Sequence, residues 1–208
     1  MNLNLKSLIL KKNKRNKIRR IPKRASYSKA TIYPIIDAAP ICHLGFDEDW
    51  QPFVIPTIHA RVNDMLYVHG EKSSMKLKQS ASGITMCITV TLFNGLVVAR
   101  SLFLHSMNYR STIVFGQGRL VTDAKEKFEA LMAIAENLIH GRWDEAREPN
   151  KKELRATSVV AIEIKSASAR TRNGPQVDDD EDYELPIWAG IVPIKTQYLY
   201  PETDSRLR

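Results

Sequence analysis

The chain has 208 residues, 43% of them apolar, which is enough for one domain with a sizeable core. It contains no apolar run near the roughly 18 residues that a membrane span needs. The formal charge of +8 is concentrated at one end: residues 1–30 hold eleven Lys/Arg and no acid, leaving 20 basic against 23 acidic residues, a net of −3, and so mildly acidic a body argues against a domain-wide nucleic-acid surface.

Residues 1–17 form a basic leader in which Leu3, Leu5, Leu8, Ile9 and Leu10 precede KKNKRNK. A secretory signal has its charges before a longer apolar region, so the order here is wrong for one. A disordered solubilising tail, an organellar transit peptide in a eukaryotic source, and a weak patch for nucleic acid or anionic lipid all fit this composition. Residues 18–200 are expected to make the folded domain and 201–208 a loose tail. Ser26 to Ala39 reads as a helix, with Ser26 as N-cap and Ile32, Ile35 and Ile36 at helical spacing. Pro34 falls inside it, where the missing N–H and the ring clash cost about 3 kcal/mol, so a kink or a split is expected.

Ile41 to Phe46 is the first strand, and Asp47-Glu48-Asp49 turns the chain. Val54, Pro56 and Ile58 alternate with Phe53, Ile55 and Thr57, which predicts a strand buried on both faces, as in a barrel wall. Asn63-Asp64 supplies the next turn and Met65 to His69 the return strand. Gly70 breaks the pattern, and Ser73 or Ser74 can cap a helix carrying Met75, Lys76 and Leu77. A helix N-terminus with free N–H groups, two hydroxyls and Lys76 has the makings of a phosphate seat.

Ile84 to Phe93, ITMCITVTLF, is a long alternating strand. Asn94-Gly95 is the strongest short hairpin signal, with Leu96 to Leu104 as the return. Ser111 to Val121 is another strand, in which Gly116 and Gly118 predict a bulge or a close approach. Asp123 caps a helix to Ile139 whose core face is Phe128, Leu131, Met132, Ala135, Leu138 and Ile139. Thr157 to Ile164 is a strand, Ser166 to Glu184 a solvated polar loop with the acid run DDDED, and Pro186 to Lys195 the last strand. Adjacent acids without fixed geometry make no metal site, and no metal is expected. Cys42 and Cys87 sit in apolar runs and read as reduced core residues, in keeping with a cytoplasmic protein, or an organellar one if the leader is a transit peptide. The whole is mainly β, an antiparallel barrel with peripheral helices. No nucleophile elbow or Walker-type loop is present, and Gly116-Gln117-Gly118 lies within a strand rather than at a strand-to-helix turn.

The segments RRIPKRASY, ICHLGF, QPFVIPT, LYVHGEKSSMK, HSMNYRSTIVFGQGRLV, RWDE, KELRATSV and LPIWAGIVP carry, in their order and spacing, a resemblance to a known family. From about Arg19 to Pro193 the chain resembles the FMN-binding split β-barrel proteins related to pyridoxamine 5'-phosphate oxidase, in the branch that includes nitroimidazole-resistance-like proteins. The resemblance implies FMN as cofactor, a homodimer with flavin sites at the subunit interface, and a flavin-dependent oxidoreductase of unknown substrate. It places Ile55, Pro56, Thr57 and Ile58 along the flavin ring, mainly through their backbone. It places Ser74, Met75 and Lys76 at the phosphate, where Met75 stands in place of an arginine and removes one charge. Arg110 or Lys72 could replace that charge; Ser111 matches a ring-contacting glutamine, and Trp188 a tryptophan before the last strand. His69, followed by Gly70, lies where relatives have a residue near the flavin or, in the nitroimidazole-resistance-like branch, a histidine linked to haem or another ligand. A non-catalytic flavin or haem binder is therefore the alternative. The C-terminal PETDSRLR does not match the segment that grips pyridoxal in the oxidase, so pyridoxamine phosphate oxidation is not expected.

Overall fold

A computed structural model describes residues 8–71 and 82–206. Two compact units emerge, Met1–Leu92 with Arg110–Thr171, and Phe93–Tyr109 with Arg172–Arg208. The first contains the barrel. Its strands are β1 (Ala25–Ser26), β2 (Ile41–Glu48), β3 (Gln51–Val62), β4 (Met65–Glu71), most of β5 (Ser82–Val98) and β6 (Ser106–Leu120), β7 (Thr157–Glu163) and β8 (Ser166–Arg172). Its helices are α1 (Lys29–Asp37), α2 (Ala124–Leu138) and the short α3 (Arg142–Glu145) and α4 (Lys151–Ala156). The strand order runs β6-β7-β4-β3-β2-β5, and β5 pairs back to β6, so six strands close into a ring.

Alternation decides what goes inside. Cys42, Leu44 and Phe46 of β2, Leu66 and Val68 of β4, Met86, Ile88 and Val90 of β5, Val114 of β6, and Val160 and Ile162 of β7 form one buried cluster. Ile32, Ile35 and Ile36 of α1 join it. The opposite faces of the same strands give a second cluster, in which Ala60, Tyr67, Val159 and Ala161 lie under Ala130 and Ile134 of α2. Helix α1 is capped by Ser28, not Ser26, and it carries Pro34 without ending there. In α2 the Asp123 cap is as expected, but the buried stripe is Ala130 and Ile134, while Met132 and Ile139 are exposed. The β3–β4 turn is at Asn63-Asp64, where Asn63 takes φ 53°. That turn is tied to α1: Lys29 pairs with Asp64 at 2.6 Å, the Tyr33 hydroxyl donates to Asp64, and Arg61 clasps Asp37 at 2.8 and 2.5 Å.

Three further expectations fail. Asn94-Gly95 makes no hairpin, and β5 runs straight through it. Within the second unit Gly95 pairs with Pro193 of β9 (Gly190–Pro193), and a Cβ there would stand 2.8 Å from the Val192 carbonyl oxygen. The glycine thus serves a close strand approach rather than a turn. Residues 166–172 are not a solvated loop but strand β8, whose Ala167, Ser168 and Ala169 are buried. The strand Phe53–Ile58 is not buried on both sides: Val54 is 70% exposed and Phe53 39%. Within the second unit the first acid of DDDED is also buried, because Asp178 accepts the Arg100 backbone N–H at 2.7 Å and pairs with its guanidinium at 3.0 Å. Among the described residues no helix is long and apolar enough to cross a membrane.

Candidate flavin and haem site

The pairing of β3 with β4 runs from Val62–Met65 to His59–Val68 and stops there. Ile58 and His69 are the next residues on the two strands. The region therefore joins the exposed half of β3 to the far half of β4. Pro56 is exposed, and Ile55, Thr57 and Ile58 are half-buried. The backbone of Ile55 to Ile58 is held by β2, in pairs running from Leu44–Ile55 to Ile41–Ile58. A ligand can lie along this strand without disturbing its ladder.

His69 is half-buried, pairs with Val159 of β7, and lies on the same strand face as Tyr67. Its Nδ1 is buried without a hydrogen-bond partner among the described residues. Burial holds the imidazole below the ordinary histidine range, so it is neutral near pH 7. A neutral imidazole with no competing partner is the form that ligates a metal. The other buried histidine, His59, differs. It is fully buried, its Nε2 donates to the Ile36 carbonyl at 3.0 Å, and its Nδ1 is left bare. Asn137 of α2 donates to the His59 carbonyl at 2.9 Å and locks this stretch of β3 to the helix. His59 was not singled out by sequence, because in an alternating apolar strand it reads as an outward residue.

Gly70 pairs with Ser158 beside His69. Ser74, Met75 and Lys76 lie outside the described residues. Arg110 and Ser111 are on β6, which stands across the ring from β3 with two strands between on either side, and the Ser111 hydroxyl approaches the Arg170 carbonyl at 3.4 Å. Within one chain they do not converge on β3. Trp188 lies in the second unit, 64% exposed, with its ring against Gly190. Neither thiol is activated: burial pushes Cys42 up to about 12 and also raises Cys87. Among the described residues no cluster of three metal-ligating side chains occurs.

The sequence profile of pyridoxamine 5'-phosphate oxidase matches residues 28–171. The chain belongs to the pyridoxamine 5'-phosphate oxidase-like family of flavin-binding split barrels. Among solved structures it is similar to the flavocytochrome Anf3 from Azotobacter vinelandii, at 38% identity over 93% of this chain and 90% of that one, with a TM-score of 0.87. It is similar also to the FAD and haem binding protein from Mycobacterium smegmatis, at 34% identity over 89% and 91%, with a TM-score of 0.85. A 5-nitroimidazole-resistance-like protein from Bacteroides thetaiotaomicron shares the fold at 23% identity over 70% and 84%, with a TM-score of 0.58. No curated protein matches the chain.

Proposed function

We propose that this protein is a redox protein that binds a flavin dinucleotide along Ile55–Ile58 and a haem through His69. The observation that carries this reading is the neutral imidazole of His69, whose buried Nδ1 has no hydrogen-bond partner among the described residues, beside a β3 segment in which Val54 is 70% exposed. The relatives described as a flavocytochrome and as an FAD and haem binding protein support it, and the second favours FAD over the FMN expected from sequence. When bound, the flavin and haem supply the electron-transfer chemistry.

The chain's own part is binding and orientation. The β2 ladder holds the β3 backbone fixed, so its orientation costs nothing further when a planar ring lies on it. Desolvation keeps the His69 imidazole unprotonated and free to bind iron at neutral pH. Phe53 and Val54 leave apolar surface that a second copy would cover, consistent with a homodimer.

The test is the visible spectrum of purified protein, with and without added FAD and haemin, for the wild type and His69→Ala. Wild type should show both a flavin band and a Soret band. The variant should lose the Soret band and retain the flavin. A variant whose Soret band is unchanged would remove His69 as ligand. A wild type that takes up neither group would leave the family and fold alone standing.

A further inference from the structure

The first unit has a cavity of about 640 Å³, within the size range of small-molecule sites, that involves none of the residues assigned above. One wall is β6, through Phe115 and Gln117, and another is the β7–β8 corner, through Glu163 and Lys165. The third comes from the leader, through Lys14 and Arg15.

The leader is anchored there by two asparagines. Asn13 donates from its amide to the Ser166 hydroxyl at 2.7 Å and accepts from the backbone N–H groups of Arg15 and Asn16 at 2.9 and 3.1 Å. Asn16, only 2% exposed, donates to the Ala167 carbonyl at 3.2 Å and to the Lys11 carbonyl at 2.9 Å. A tail that only solubilises needs no buried asparagine fastened to a strand. The result is that two cations are held at the rim of a cavity. Neither Lys14 nor Arg15 has an acidic partner among the described residues. Lys165 is paired with Glu163 at 2.6 Å, so the lining keeps two uncompensated positive charges.

We infer that this cavity binds the diphosphate-bearing half of a nucleotide, with Lys14 and Arg15 on the phosphates and Phe115 beside the base. Phosphate recognition by a lysine and an arginine is charge-assisted, and an aromatic wall accepts any base face. Two sources share this chemistry: the adenosine diphosphate end of a flavin dinucleotide whose ring lies on β3 of a second copy, since β6 and β3 stand on opposite sides of the ring within one chain, and a separate nucleoside diphosphate. The first rests on the flavin reading above; the second does not.

The experiment is an equilibrium titration of the full chain, stripped of bound cofactor, with ADP, FAD and FMN, repeated on the doublet Lys14→Ala/Arg15→Ala. Both side chains are exposed, so the doublet is expected to fold; Gln117→Glu, which adds a negative charge to the same lining, is a second probe. ADP should bind the wild type and lose about tenfold or more in either variant, the scale of losing a charged hydrogen bond. If ADP also competes with FAD, and the variants weaken FAD while sparing FMN, the source is the dinucleotide. If ADP binds with the same sensitivity but leaves FAD untouched, or if no flavin binds at all, the source is a separate nucleotide. No ADP binding, or equal binding by wild type and both variants, overturns the inference.

Discussion

The two halves of β3 make the most instructive contrast in this molecule. From His59 to Val62 the strand pairs with β4, and Ala60 is buried beneath Ile134 of α2. From Gln51 to Pro56 it pairs only with β2, and Val54 stands 70% exposed. The composition of the two halves differs little in apolar character, yet one is covered by the chain's own helix and the other is not. Alternation reports that a face is apolar; it does not report what covers it.

The contrast is most strongly tested from the covered side. Ile134→Ala should destabilise the fold by about 3 kcal/mol, because it opens a cavity between α2 and β3 that the sheet cannot collapse into. A shift of the urea midpoint at unchanged slope checks it. His59→Gln should act through pH. Burial sets the folded imidazole below its unfolded pKa of about 6.5. Above that pH both states are neutral. As pH falls below it the unfolded chain takes the proton first, so stability drops until the folded pKa is passed. Replacing His59 should flatten that loss, measured as the difference in urea midpoint between pH 7.5 and pH 5.5. His69, shifted the same way, leaves part of the slope in place. The smallest expected effect is on the open side. Val54→Ala should change stability by no more than about 0.5 kcal/mol while weakening flavin retention through a desalting column. A large stability loss there, with flavin retention intact, would mean that the open half of β3 is structural.

Sequence alone revealed the barrel where local chemistry and fold agree. The Asn63-Asp64 turn works because Asn63 accepts a positive φ, and α2 begins where Asp123 accepts the Glu126 N–H at 2.7 Å. It misread the places where tertiary contact overrides the local signal. Gly95 looks like a turn residue, but its missing side chain makes room for β9. The β8 residues Ser166 to Arg172 carry no β-branched aliphatic, yet alanine is what fits between β6 and β1. At the site, the histidine at position 69 stood out only through the family resemblance, which puts it near the flavin or another ligand. Its lack of a partner, and the asparagine-anchored cavity at the leader, are three-dimensional facts that no spacing encodes. Gly116 was legible in kind: a Cβ there would meet Ile162 at 2.5 Å, the close approach expected of a glycine within a strand.

Lys29 and Asp64 are 35 positions apart, and Tyr33, Asp37 and Arg61 close the same short stretch of chain. Loops this short cost little entropy to close. Lys29, with the Tyr33 hydroxyl beside it, stabilises the Asp64 carboxylate, which lies below the usual aspartate range. Fraying the β3–β4 hairpin therefore means releasing α1 as well. In amide-exchange terms, Lys29–Asp37 and the Val62–Met65 turn should behave as one opening unit, with protection that rises and falls together when measured by native-state hydrogen exchange.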